Sequence, residues 1–187
     1  MKRTCVMGID NGVTGSITVL YDDGTFAYLK MPTIRQRNYT KTVRYLERVN
    51  FPKLAKFLSS LAATNEVVIA VMERPMVNPK RFIASTSALR CLEATQIALE
   101  STGIPYSFID SKNWQGEFLP KGTKGSDELK KASDDLAYKK LPVYKFKNGE
   151  GDSVHIATYA LKHYVKENKE NGTEPEKDSG PSEGAGG

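Results

Sequence analysis

The order of elements legible in the sequence predicts an α/β protein: a mixed five-stranded sheet, three antiparallel strands plus two parallel ones, flanked by helices. Three observations predict it. Three short strand-like stretches fill the first thirty residues, with Asp22-Asp23-Gly24 as a tight-turn signal between the second and third. The run Val67-Val68-Ile69-Ala70-Val71-Met72 is continuously apolar, as a strand buried on both faces must be. Helical patterns then alternate with a further strand, so an antiparallel meander gives way to helix, strand, helix, strand and helices.

The first three strands are expected at residues 5–10, 15–21 and 26–31. Residues 32–50 are basic and polar, and an irregular excursion is expected there. Asn50-Phe51-Pro52 marks a helix entry, and Leu54, Phe57, Leu58 and Leu61 form an apolar stripe that ends near Thr64-Asn65. The apolar strand that follows halts at Glu73-Arg74-Pro75, which sets a carboxylate at the end of a central strand. A second helix is expected over 85–101, stopped by Gly103 and Pro105, followed by a strand at 106–109. Helical segments are expected at 112–119, 126–139 and 152–166.

Composition bounds the function. At 187 residues, 39% hydrophobic and 26% charged, the chain has room for one good core and not for a two-lobed kinase. No apolar run approaches the ~20 residues of a membrane helix, and Met1-Lys2-Arg3-Thr4 leads into a strand rather than a signal-peptide core, so a cytoplasmic protein is expected. Cys5 and Cys91, the two cysteines, lie in apolar surroundings and read as buried free thiols. The last 22 residues hold three Lys and six acids, leaving residues 1–165 with 24 basic against 16 acidic side chains. A folded part this basic points to a polyanionic partner, nucleic acid first, although surplus lysine also serves solubility. One domain is expected over 1–166, with a disordered acidic Gly/Ser/Pro-rich tail over 167–187.

Four polar residues interrupt patterns that otherwise bury apolar groups. Asp10 closes the first strand and precedes Asn11-Gly12-Val13-Thr14-Gly15, a turn that lets a ligand approach; its bland alternative is a turn cap. Glu73 ends the apolar strand, the edge where open α/β sheets place their sites, and a plain strand-end ion pair is its alternative. Asp152 and His155, in Gly151-Asp152-Ser153-Val154-His155-Ile156-Ala157, stand i, i+3 on one helix face with Ile156 and Tyr159. Val154, Ala157, Leu161 and Val165 take the other face. An N-terminal cap and a surface histidine are the alternatives there. Three carboxylates and an imidazole, drawn from two strand ends and a helix start, match what two divalent metal ions require.

Gly8-Ile9-Asp10-Asn11-Gly12, Val71-Met72-Glu73-Arg74-Pro75 and the motif around Asp152 resemble, in order and spacing, the successive motifs of RuvC-like Holliday junction resolvases in the RNase H-like superfamily. The resemblance extends through Arg90-Cys91-Leu92-Glu93-Ala94, Gly103-Ile104-Pro105-Tyr106 and Ser111-Lys112-Asn113-Trp114, covers roughly residues 4–165, and is nearest to bacteriophage-encoded versions. It implies a homodimeric, Mg²⁺- or Mn²⁺-dependent endonuclease that makes paired nicks in four-way DNA junctions, with Asp10, Glu73, Asp152 and His155 as the catalytic and metal-binding set. Two departures stand out: Asn11 replaces the usual Pro, and His155 stands where the last acid is often Asp.

Phosphate contacts are expected from Lys80, Arg81, Lys121, Lys124, Lys130 and Lys131, the last two having a solvated helix face as their alternative. Phe82 is a candidate for wedging the junction, with a buried anchor at the head of a helix as the competing reading; Trp114 reads as core. Apolar residues beyond one stripe of the second long helix, including Leu89 and Ile97, fit a dimer face or thick core packing. The competing functions are a YqgF-type RNase H-like nuclease on RNA or hybrids, and a non-catalytic branched-DNA-binding dimer. An actin-like phosphate loop at residues 10–15 is disfavoured because a second lobe is missing.

Overall fold

The computed structural model describes residues 2–38 and 41–166. The expected tail over 167–187 lies outside them. Seven strands and five helices are described: β1 (Arg3–Asp10), β2 (Ser16–Tyr21), β3 (Phe26–Lys30), β4 (Thr33–Arg37), β5 (Tyr45–Val49), α1 (Phe51–Thr64), β6 (Asn65–Glu73), α2 (Phe82–Ser101), β7 (Tyr106–Ile109), α3 (Ser111–Phe118), α4 (Ser126–Lys140) and α5 (Asp152–Ala160). A turn of π-helix, Leu161–Lys166, continues α5.

The main sheet has the order β3-β2-β1-β6-β7. β1 pairs antiparallel with β2 and parallel with β6; β2–β3 is antiparallel and β6–β7 parallel. This is the expected mixed five-stranded α/β sheet. Period-two alternation along β1 sends Cys5, Met7 and Ile9 to one face, where they pack with Leu54, Leu58, Cys91, Ala98 and Leu99 of α1 and α2. Val6 goes to the other face, together with Ile69 and Val71 of β6, Trp114 of α3 and Ile156, Ala157 and Ala160 of α5. The molecule is therefore layered helix, sheet, helix. Both cysteines are buried free thiols, as expected.

α1 begins where the sequence marks it: Asn50 Oδ1 accepts from Lys53 N, and Pro52 occupies the first turn. Residues 32–50 differ from expectation. They form an antiparallel ribbon, β4 against β5, rather than an irregular excursion. Its strands expose most of their residues, so no alternation of apolar and polar residues betrays them in the sequence.

α5 also differs. Ser153, Val154, His155, Ile156, Ala157 and Ala160 are all buried, so the helix has no solvent face opposite a core face. It lies directly on β1 because position 8 is glycine: a methyl group there would stand 2.2 Å from Ala157 N and 2.4 Å from Ser153 O. Ser153 Oγ is clamped by Ser16 Oγ at 2.7 Å and Thr18 Oγ1 at 2.8 Å, a buried polar cluster that satisfies its own hydrogen bonds.

Candidate active site

Alternation that carries Val6 and Gly8 to the α5 side of the sheet carries Asp10 there too, and the alternation Ile69, Val71, Glu73 does the same on β6. Ile9 pairs with Met72, so Asp10 and Glu73 leave adjacent parallel strands at the same level. Asp152 opens α5, which Gly8 seats on β1. The turn after Asp10 closes through Gly15 N to Gly12 O at 3.0 Å, and a side chain at Gly15 would collide with Asp10 O at 2.1 Å. Three carboxylates from two strands and one helix thus converge at one edge of the sheet.

Their electrostatics record the convergence. Burial, then repulsion by Asp152 and Glu73, lifts Asp10 well above the ordinary carboxylate range, and Lys130 opposes the rise. Burial raises Glu73, against which the Trp114 hydrogen bond acts. Burial also brings Asp152 up to about 7; the Ser133 hydroxyl pulls it down, Glu73 and Asp134 push it up, and Lys130 pulls it down. Ser133 Oγ donates to Asp152 Oδ1. Asp134 holds the approach to α5 by accepting from Gly149 N at 3.0 Å and Gly151 N at 2.9 Å.

His155 is buried, not a surface histidine. Its ring lies near-parallel to Trp114, centroids 5.8 Å apart at 8°, with Phe118 also at 5.8 Å and 27°. Nε2 lies 3.0 Å from Ser133 O, so it carries the proton, and Nδ1 has no hydrogen-bond partner among the described residues. Burial lowers its pKa to about 4, so the ring is neutral at pH 7, the Ser133 carbonyl acting against that shift and the Lys140 charge with it. A neutral imidazole whose one N–H is fixed on a backbone carbonyl is the form in which histidine donates to metals.

Among the described residues no group of three or more His, Cys, Asp or Glu side chains stands arranged to hold a metal ion. The chemistry of the donor set nevertheless fits divalent cations: carboxylates raised chiefly by burial, and for Asp10 and Asp152 also by neighbouring acids, are oxygens in want of positive charge. Asp10, Glu73 and Asp152 could hold such ions, with His155 Nδ1 as the nitrogen donor.

The basic candidates divide. Lys80 and Arg81 are exposed on the short 3₁₀ turn Pro79–Arg81 after Glu73. Lys121, Lys124 and Lys131 are exposed around the start of α4. Lys130 is more than a solvated helix residue, since its charge acts on Asp10 and Asp152. Phe82 is 73% exposed, which corrects the buried-anchor reading. Asn78 exchanges hydrogen bonds with Ser85 Oγ, so Ser85 is buried at the head of α2 and Phe82 faces a cleft. That cleft, of about 690 Å³, separates α2 from the β4–β5 ribbon and is lined by Val13, Phe82 and Ile83 with Arg44, Arg48 and Arg90. The three arginines, Trp114 and Ser133 were missed as functional candidates. Only the basic run of residues 35–48 signalled any of them.

No family model matches the sequence, and no curated protein matches it. The fold is similar to Thermus thermophilus RuvC in complex with Holliday junction substrate, with a TM-score of 0.52 at 10% identity over 85% of this chain and 95% of that one. A second T. thermophilus RuvC structure matches with a TM-score of 0.49 at 11% identity, over 84% of this chain and 95% of that one. Fowlpox virus resolvase with Holliday junction DNA matches at 0.41 and 9%, over 84% of this chain and 98% of that one. The likeness to the first of these, at 10% identity, establishes the fold alone. No helix among the described residues is long and apolar enough to cross a membrane.

Proposed function

We propose that this chain is a metal-dependent, structure-specific endonuclease that resolves four-way DNA junctions by paired phosphodiester hydrolysis. The observation that carries the reading is the convergence of the half-buried Asp10, Glu73 and Asp152, with Asp10 repelled by the other two, at the edge of an RNase H-like sheet. Asp10, Glu73 and Asp152 would hold divalent ions through their carboxylate oxygens, and His155 would offer Nδ1 as a nitrogen donor. Divalent ions, Mg²⁺ with Mn²⁺ as substitute, supply water activation and stabilisation of the leaving oxygen when bound.

The remaining residues bind and orient. Lys130 sets a positive charge beside the carboxylates, suited to a phosphate approaching them. Lys80, Arg81, Lys121, Lys124 and Lys131 hold the DNA backbone, and Phe82, exposed in the arginine-rimmed cleft, offers a stacking face for a base displaced at the crossover. Leu89 and Ile97, each 44% exposed along α2, support a homodimer, in which each active site meets an equivalent strand of a two-fold junction.

The test is nicking of a labelled four-way junction and a matched linear duplex with Mg²⁺, Mn²⁺ or EDTA, wild type beside Asp10→Asn. Paired metal-dependent nicks on the junction, lost in Asp10→Asn while junction binding persists, are expected. Undiminished nicking by Asp10→Asn overturns the assignment. A junction bound and never cut favours the non-catalytic DNA-binding dimer, and cutting confined to RNA or hybrids favours the RNA-directed nuclease.

A further inference from the structure

Trp114 is the one tryptophan in the chain and is fully buried in α3. Packing alone would account for its ring. It does not account for where the indole N–H points: Nε1 donates to Glu73 Oε2 at 2.8 Å, across 41 residues of sequence. The same ring lies parallel to His155, whose Nε2 meets Ser133 O, while Ser133 Oγ donates to Asp152 Oδ1. A buried brace therefore runs Glu73, Trp114, His155, Ser133, Asp152, and it joins two carboxylates that belong to different elements.

We propose that Trp114 is a positioning residue for the metal site: its N–H fixes Glu73 Oε2 and leaves Oε1 as the oxygen offered to a divalent cation. The inference rests on the reading of Asp10, Glu73 and Asp152 as cation ligands. An indole suits the task because it donates one hydrogen bond, accepts none, and carries no charge to compete with the cation. A lysine or arginine in its place would neutralise Glu73 and weaken its hold on a metal. The stack on His155 restrains a second donor group from the same ring, as ligand-orienting partners do in metal sites.

The experiment uses Trp114→Phe in the full chain, which keeps an aromatic ring in the core and removes the N–H together with part of the indole. Binding of MgCl₂ and of MnCl₂ in the absence of DNA is followed by calorimetry, and junction binding is measured in EDTA. Loss of a hydrogen bond to a charged group is expected to weaken cation affinity about tenfold, with half-saturating Mg²⁺ for nicking rising in step. Junction affinity in EDTA is expected to stay within about twofold of wild type. A residue that merely fills the core would lower thermal stability and leave cation affinity alone; that outcome overturns the proposal.

Wild-type fluorescence gives a measurement independent of any variant's folding. Trp114 is the sole indole emitter, so titration with MgCl₂ should change its emission, and Glu73→Gln should abolish the change. Calorimetric binding of the cation with silent emission and an unaffected Trp114→Phe variant overturns the positioning role while leaving the carboxylate site intact. Failure of wild type to bind either cation overturns the site reading and the positioning role together.

Discussion

Asp152 shows how much one carboxylate of the proposed site costs the fold. Its pKa stands at about 7 in the folded chain against 3.8 for the free side chain, so the folded state binds a proton that the unfolded state releases between those values. Stability from this group is therefore lost as pH rises from about 4 to about 7, and the loss is complete above 7. Asp152→Asn keeps an oxygen for the Ser133 hydroxyl and removes the charge. It should unfold at higher denaturant than wild type at pH 8 without divalent ions, by up to about 4 kcal/mol at 1.36 kcal/mol per pKa unit, and the gain should vanish near pH 4. Added Mg²⁺ should stabilise wild type more than the variant; a variant no more stable than wild type at pH 8 removes the strained-carboxylate picture. Asp10, Glu73, Asp152 and His155 were legible as polar residues out of place in apolar patterns. Trp114 was not, because its bond to Glu73 depends on how β7 and α3 return the chain to the end of β6, which no local pattern encodes.

Elements carry the site through close contacts at glycine. α5 brings Asp152 to Asp10 only because β1 offers no side chain at position 8. Gly8→Ala forces a methyl group against the backbone of Ala157 and Ser153, a steric conflict with no flexible partner to yield. Overpacking of this kind costs about 1–3 kcal/mol or more. Gly8→Ala should lose at least that much in equilibrium denaturation and nick far more slowly than wild type under conditions where it remains folded, since any relief moves α5. Near-wild-type nicking by a folded Gly8→Ala would show that Asp152 does not depend on this seat. Most strands of the main sheet were readable because β1, β2 and β6 bury runs of apolar residues, and α1 because its stripe and Asn50 cap coincide. The β4–β5 ribbon was hidden because Thr33-Ile34-Arg35-Gln36-Arg37 contributes little to a core, so its pairing leaves no apolar signature. α5 is different again: helices and sheet bury it from several sides, so exposure does not tell its two faces apart.

At the scale of the molecule, an acidic centre sits in a basic body, and the proposed function needs both. Residues 1–165 hold eight more basic than acidic side chains, and Arg44, Arg48 and Arg90 gather several of these along the cleft that also exposes Phe82. Arginines rimming an apolar floor suit a strand whose phosphates are held while a base leaves its stack. The same apolar floor, taken alone, would suit a second copy of the chain, but three arginines against the single Glu47 leave the cleft positive and oppose self-association there. The two occupants predict different behaviour when Arg44, Arg48 and Arg90 are replaced together by Ala. As a DNA contact, the cleft should lose junction affinity, and the slope of log affinity against log salt should flatten by ~0.9 for each phosphate contact removed, with sedimentation unchanged. Phe82→Ala should then weaken junction binding without changing that slope, because stacking releases no counterions. An unchanged salt slope in the triple variant, accompanied by an altered oligomeric state, would assign the cleft to self-association and move the DNA path to Lys80, Arg81, Lys121, Lys124 and Lys131.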